Sequence, residues 1–267
     1  MTEIDKWRQY SRMLNFPLPE EAEKDYLQDI ALRSIYSNIG DELVFRGGTA
    51  ISKVYSSGRF SEDLDFTVNS SYDGRVEDLI VRVETGIKEI GSYFQFSYSK
   101  KAYREMINYT VRIDGPLFLA SSNESARQRI MIDLNTYERN LEKPRVYLRQ
   151  TPYPNLPPYT LIVESENELL ADKIKAAIER RHRHRTAFVR DIYDIWFLVT
   201  KFGLKQDFGL VSNKMRTYGK LEFSVKDLKA CVDEAGKGWD DEMSTVLNVV
   251  PRYNDVRKAL EPLLHVK

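Results

Sequence analysis

Residues 43–68 read Leu-Val-Phe-Arg-Gly-Gly-Thr-Ala-Ile-Ser-Lys-Val-Tyr-Ser-Ser-Gly-Arg-Phe-Ser-Glu-Asp-Leu-Asp-Phe-Thr-Val, and this stretch decides the fold. A short apolar run ends at Gly47-Gly48-Thr49, and Ala50 to Tyr55 then has helical composition. Next, Arg59, Ser61, Asp63 and Asp65 alternate with Phe60, Leu64 and Phe66, the period-two pattern of a strand with one polar face. Residues two apart on a strand point the same way, so Asp63 and Asp65 present two carboxylates to one side. Like charges held that close are costly unless a cation lies between them. Hard divalent ions such as Mg²⁺ favour carboxylate oxygens and keep positions open for phosphates. The Gly47-Gly48 turn lets backbone approach a ligand closely, and a helix starting near Thr49 would aim free N–H groups at an anion. Carboxylates facing a phosphate cradle suit phosphoryl or nucleotidyl transfer.

Outward from this stretch, Glu20–Ser37 reads as a helix closed by Gly40, and residues 72–93 as a second helix with Val76, Leu79, Ile80, Val83, Ile87 and Ile90 as its buried stripe. Residues 94–99 and 106–113 alternate as strands, with Asp114-Gly115 as a turn. In residues 128–137, Arg129, Met131, Asp133 and Asn135 alternate with Ile130, Ile132 and Leu134. Asp133 therefore sits in apolar surroundings, where a carboxylate needs either a metal or an arginine partner. Residues 145–148 read as an edge strand. Pro152, Pro154, Pro157 and Pro158 mark an extended connector, which places the domain boundary after residue 158. Residues 161–163 could still add a strand.

Beyond the connector, residues 166–180 and 189–202 read as helices, the second ended by Gly203. Lys173 lies on an otherwise apolar face, where lysines turn inward only with a partner or snorkel outward. Arg180-Arg181-His182-Arg183-His184-Arg185 is a basic run, whose arginines suit phosphate through their planar forks. A metal on His182 and His184 is disfavoured by the neighbouring cations. From residue 205 onward, three or four amphipathic segments indicate a helical bundle with no site-like constellation.

Gly47-Gly48-Thr49 followed by Arg59-Phe60-Ser61-Glu62-Asp63-Leu64-Asp65 resembles the first motif of the AbiEii/AbiGii toxin family, within the DNA polymerase β-like nucleotidyltransferases. Residues 168–173 resemble the later family motif that ends in a functional Lys, and residues 190–196 resemble its Arg-Asp-x-x-Asp-Leu motif. The resemblance spans about residues 43–202. It implies an α+β fold: a nucleotidyltransferase-like mixed sheet flanked by helices, followed by a C-terminal helical bundle. Residues 1–158 would form the nucleotidyltransferase-like domain, and 159–267 a mainly helical domain completing the active-site cleft. It implies transfer of NMP from an NTP, with Asp63, Asp65 and Asp133 holding two Mg²⁺ ions, Mn²⁺ being a substitute. Gly47, Gly48, Thr49 and Lys53 would bind the triphosphate; Arg59 and Ser61 would either touch phosphate or orient the loop. Lys173 and Asp191 would complete the catalytic set, and Arg180, Arg181, Arg183 and Arg185 would contact nucleic acid. The expected acceptor is tRNA or another RNA, and the expected role is the toxin of a toxin–antitoxin pair, with an antitoxin as partner. Two rival readings are a metal-dependent nuclease and a non-catalytic partner-binding module descended from the enzyme. A nuclease needs no triphosphate cradle, and a degenerate copy would be expected to lose its carboxylates.

Composition sets the bounds. The chain has 267 residues, 42% of them hydrophobic, enough for a sizeable core. Lys+Arg and Asp+Glu are both 40, so nucleic acid must be met by a local patch rather than a global basic field. A single cysteine, Cys231, excludes an internal disulfide and favours a reducing, cytoplasmic setting. Residues 1–10 are charged, and no apolar run reaches membrane-span length.

Overall fold

The computed structural model describes residues 2–183, 188–204, 208–219 and 221–264. Two compact units divide the chain, Met1–Glu164 and Ser165–Lys267.

The first unit opens with helices α1 (Glu3–Leu14) and α2 (Pro19–Tyr36). Thr2 and Asp5 cap α1 reciprocally, and Pro19 opens α2, where its missing N–H costs nothing. Strand β1 (Leu43–Arg46) runs into α3 (Gly47–Tyr55), and β2 (Asp63–Val68) returns beside β1. After α4 (Val76–Glu89) come β3 (Phe96–Tyr103), β4 (Met106–Ile113), α5 (Pro116–Ser121), β5 (Gln128–Arg139), β6 (Arg145–Arg149) and β7 (Tyr159–Val163). These strands form one mixed sheet in the order β3-β4-β5-β2-β1-β7-β6. The β2–β5 and β1–β7 pairs are parallel; the other pairs are antiparallel.

Alternation along the strands sorts the sheet into two faces. Leu64, Phe66, Ile132, Leu134, Tyr109 and Val111 are buried on one face, and α2 packs against β5 and β7. Asp63, Asp65, Met131, Asp133, Asn108 and Thr110 point to the other. Tyr36 joins helix to sheet, its hydroxyl donating to the carbonyls of Leu43 and Ile162.

One sequence expectation needs correction. The unit boundary falls after Glu164, not after residue 158, because residues 159–163 pair as β7 between β1 and β6. Asp114-Gly115 does link β4 to the next element, which is the short helix α5 with Pro116 at its first turn.

The second unit is helical: α6 (Glu166–His182), α7 (Phe188–Phe202), α8 (Phe208–Tyr218), α9 (Val225–Ala235), α10 (Trp239–Ser244) and α11 (Tyr253–Leu264). Its core gathers Ile174, Ile178, Ile192, Ile195, Leu198, Val211, Leu228, Val232, Trp239 and Leu260. Among the described residues, no helix is long and apolar enough to cross a membrane.

Candidate active site

The site of the first unit is built by strand register. β2 and β5 run parallel with Asp63 opposite Met131 and Asp65 opposite Asp133. All three carboxylates therefore project from the same face, on adjacent strands. The row through Asp65 crosses five strands: Lys101, Asn108, Asp133, Asp65 and Arg46 are successive neighbours. Asn108 Nδ2 donates to Asp133 Oδ1 at 2.6 Å, confirming that the two side chains share a face. At the other end of the row, Arg46 Nη1 lies 2.6 Å from Glu138 Oε2, and its Nε 3.6 Å from the buried Glu164. Asn108 and Arg46 escaped the sequence reading, because cross-strand register is invisible in a single strand's alternation.

The glycine turn packs directly against this row. Gly47 has φ +77°, and a Cβ built there would collide with the Asp65 carboxylate. No other residue satisfies both conditions. The turn opens α3, and the first N–H groups of any α-helix lack intrahelical partners; here they belong to Gly47, Gly48 and Thr49.

Thr49 is nearly fully buried, and its hydroxyl donates to the carbonyl of Asp63 at 2.5 Å. Its side chain thus anchors the start of β2, leaving its backbone N–H as the group suited to an anion. Gln28 of α2 does parallel work, donating through Nε2 to the carbonyls of Ser61 and Glu62. Arg59 is 4% exposed and donates to the Phe60 carbonyl, a contact that orients the loop.

Lys53 departs from its expected place. It is 2% exposed, with Nζ 2.6 Å from Asp25 Oδ1 and 3.4 Å from Asp29 Oδ1. Arg149 joins from β6, pairing with Asp29 through Nε and Nη2 and with the Lys53 carbonyl through Nη1. Tyr153 and Tyr159 donate to Asp25 and Asp29. Burial pushes the Asp29 carboxyl up, but Lys53 and Arg149 outweigh it and hold it below the ordinary range. Lys53 is therefore a structural cation in a neutral buried network. The acids that claim it lie in α2, distant in sequence.

The second unit holds its own charge cluster. Lys173 of α6 is 8% exposed; its Nζ stands 3.1 Å from Asp191 Oδ1 and 2.8 Å from Asp194 Oδ2, both on α7 and fully buried. Arg180 Nη1 reaches Asp191 Oδ2 at 2.5 Å. The lysine partner that the sequence called for is thus a pair of aspartates, and Asp194 belongs to the cluster as fully as Asp191. On another side of α6, Lys214 pairs with Glu168 at 3.0 Å and Asp172 at 2.5 Å.

The basic run divides. Arg180 is engaged by Asp191, and Arg181 forks onto Glu234 of α9, with Asp227 nearby. These two arginines are engaged by acids on neighbouring helices. Arg183 is exposed beside Glu179. Arg185 and His184 lie outside the described residues.

A mixed sheet with neighbouring-strand carboxylates beside a glycine-led helix is the arrangement of nucleotidyltransferase folds. A crystal structure of JHP933 from Helicobacter pylori has the same fold, with a TM-score of 0.54 at 17% identity, covering 92% of this chain and 91% of that one. A second H. pylori structure, described as that of a proposed nucleotidyltransferase, matches with a TM-score of 0.54 at 18% identity over 91% and 93%. No curated protein matches the chain. The family model described as "Nucleotidyl transferase AbiEii toxin, Type IV TA system" matches residues 30–262, and the chain belongs to this family.

Proposed function

We propose that the protein is a metal-dependent nucleotidyltransferase moving NMP from an NTP to an RNA acceptor, with tRNA the expected RNA, as the toxin of a toxin–antitoxin pair. The observation that carries the reading is the juxtaposition of Asp63, Asp65 and Asp133 with the Gly47 turn at the start of α3.

The donor chemistry suits a hard divalent cation, because all three groups are carboxylates on one face of a paired strand couple. Among the described residues, no three His, Cys, Asp or Glu side chains are grouped closely enough to hold an ion as they stand. The fit therefore rests on donor type and register. Asp63, Asp65 and Asp133 would hold Mg²⁺, which when bound supplies charge neutralisation at the triphosphate.

The chain's own residues do the rest. Backbone N–H groups at Gly48 and Thr49 receive phosphate oxygens. The acceptor hydroxyl oxygen forms a bond to the α-phosphorus, the bond from that phosphorus to the bridging oxygen breaks, and pyrophosphate leaves. Asp133 Oδ2 takes the hydroxyl proton while Asn108 holds Oδ1. Lys173 and Asp191 enter through the family motifs, with Asp191 and Asp194 orienting the ammonium.

Label transfer tests the proposal. The protein is incubated with Mg²⁺, α-labelled NTPs in turn and total tRNA, beside Asp63→Asn and Asp65→Asn. Label on RNA that both variants lack is the expected result. Label absent from RNA, with NTP binding intact, overturns the RNA acceptor; absence of NTP binding overturns the enzyme.

A further inference from the structure

The face that carries the three carboxylates continues across β5, β4 and β3, and there its charge reverses. Arg112 of β4 and Arg129 of β5 stand directly opposite each other in the antiparallel register. Both are exposed. Among the described residues neither has a side-chain hydrogen bond or ion pair, and the same is true of Lys101 on β3. Like charges directly opposed across a strand pair are destabilising. The sheet therefore keeps a local conflict with no internal acid to relieve it, which is the mark of a position held for a ligand.

The ligand's charge and shape follow from the register. Arg129 lies four residues before Asp133 on the same strand and the same face, about 13 Å away at strand rise. Lys101 lies beside Asn108, which holds Asp133. Tyr103, two residues beyond Lys101 on the same face, is 69% exposed, and Arg104 lies over its ring. Cations interleaved with an exposed aromatic ring, leading in a line to carboxylates, fit a polyanion bearing flat bases. The basic run at residues 180–183 is less available for this role, because Arg180 and Arg181 are held by acids.

We propose that the open face of β3, β4 and β5 is the docking surface for the single-stranded RNA acceptor. Arg112 and Arg129 together grip one stretch of its phosphate backbone, Lys101 grips phosphate nearer the carboxylates, and Tyr103 stacks a base. This rests on the RNA-acceptor reading above and adds the surface that reading lacks.

The test separates the two. Binding of a labelled single-stranded RNA is measured against salt for wild type, Arg112→Gln/Arg129→Gln, and Arg129→Glu, with NTP affinity and melting temperature alongside. Loss of two phosphate contacts flattens the slope of log affinity against log salt by about 1.4 in the double variant, at roughly 0.7 per contact for single strands. NTP affinity stays unchanged. Arg129→Glu weakens RNA binding further yet melts higher than wild type, because it pairs with Arg112 across the strands; a purely structural role would give the opposite melting shift. Wild type that binds RNA with variants of equal affinity and slope overturns this surface alone. Wild type that binds no single-stranded RNA overturns the surface, and label transfer to tRNA then decides the acceptor reading by itself.

Discussion

Gly47 and Asp65 occupy one volume: the Asp65 carboxylate lies where the Cβ of any other residue at position 47 would have to be. The glycine turn and the acidic strand are thus one device, with a φ of +77° at the turn allowing the carboxylate to reach the row it shares with Asp133. Gly47→Ala is expected to displace Asp65 and to cost about 1–2 kcal/mol of stability from the left-handed backbone alone. Transfer activity should fall much further than stability. Chemical denaturation beside label transfer checks this; near-normal turnover in Gly47→Ala would separate the turn from the site.

Lys53 should behave as a structural residue. Lys53→Met leaves Asp25 and Asp29 buried with only Arg149 to balance them, a loss expected to cost about 3–5 kcal/mol. NTP affinity of whatever fraction stays folded should be unchanged. A thermal shift series with and without NTP reads both quantities, and a selective loss of NTP affinity at normal stability would return Lys53 to the phosphates.

Lys173 sits between two fully buried aspartates, so its removal confounds folding with chemistry. Lys173→Met is expected to destabilise by about 3–5 kcal/mol. Lys173→Met with Asp194→Asn removes one of the stranded charges and should recover a large part of that loss without restoring transfer. Recovery of activity together with stability would reduce Lys173 to a packing role.

Glu23 supplies a pH signature. Burial pushes its carboxyl up to about 7, against the opposing pull of hydrogen bonds from the Leu117 N–H and Gln128. The folded state therefore holds the proton more tightly than the unfolded chain, whose value lies near 4.5. This group's contribution to stability is fully present below pH 4.5 and is lost as pH rises through about 7. Glu23→Gln should flatten that part of the profile by on the order of 2 kcal/mol, measured by denaturation between pH 4.5 and 8. An unchanged profile would assign the dependence to other groups, Glu21 first, since burial raises it similarly.

Much of this architecture is legible in the chain. Strand β4 falls where alternation puts it, and Asp63 and Asp65 announce themselves by their spacing of two. The reading failed where partners are distant in sequence. Nothing near Lys53 shows that Asp25 and Asp29 will claim it, and nothing near Arg181 shows Glu234. Both look like available cations until the helices pack. Arg112 and Arg129 look unremarkable singly; only the β4–β5 register sets them face to face.

Strand β7 joins the sheet from the far end of the first unit, pairing Val163 with Phe45 across more than a hundred residues. Until β7 has been made and has docked, β1 has a neighbour on one side only, and the turn it leads into cannot be fixed. Contacts of such long sequence separation form late and slowly. A ribosome-bound chain that stops short of residue 159 would accordingly carry every residue of the acidic triad while β1, which leads into the glycine turn, still lacks its second neighbour in the sheet.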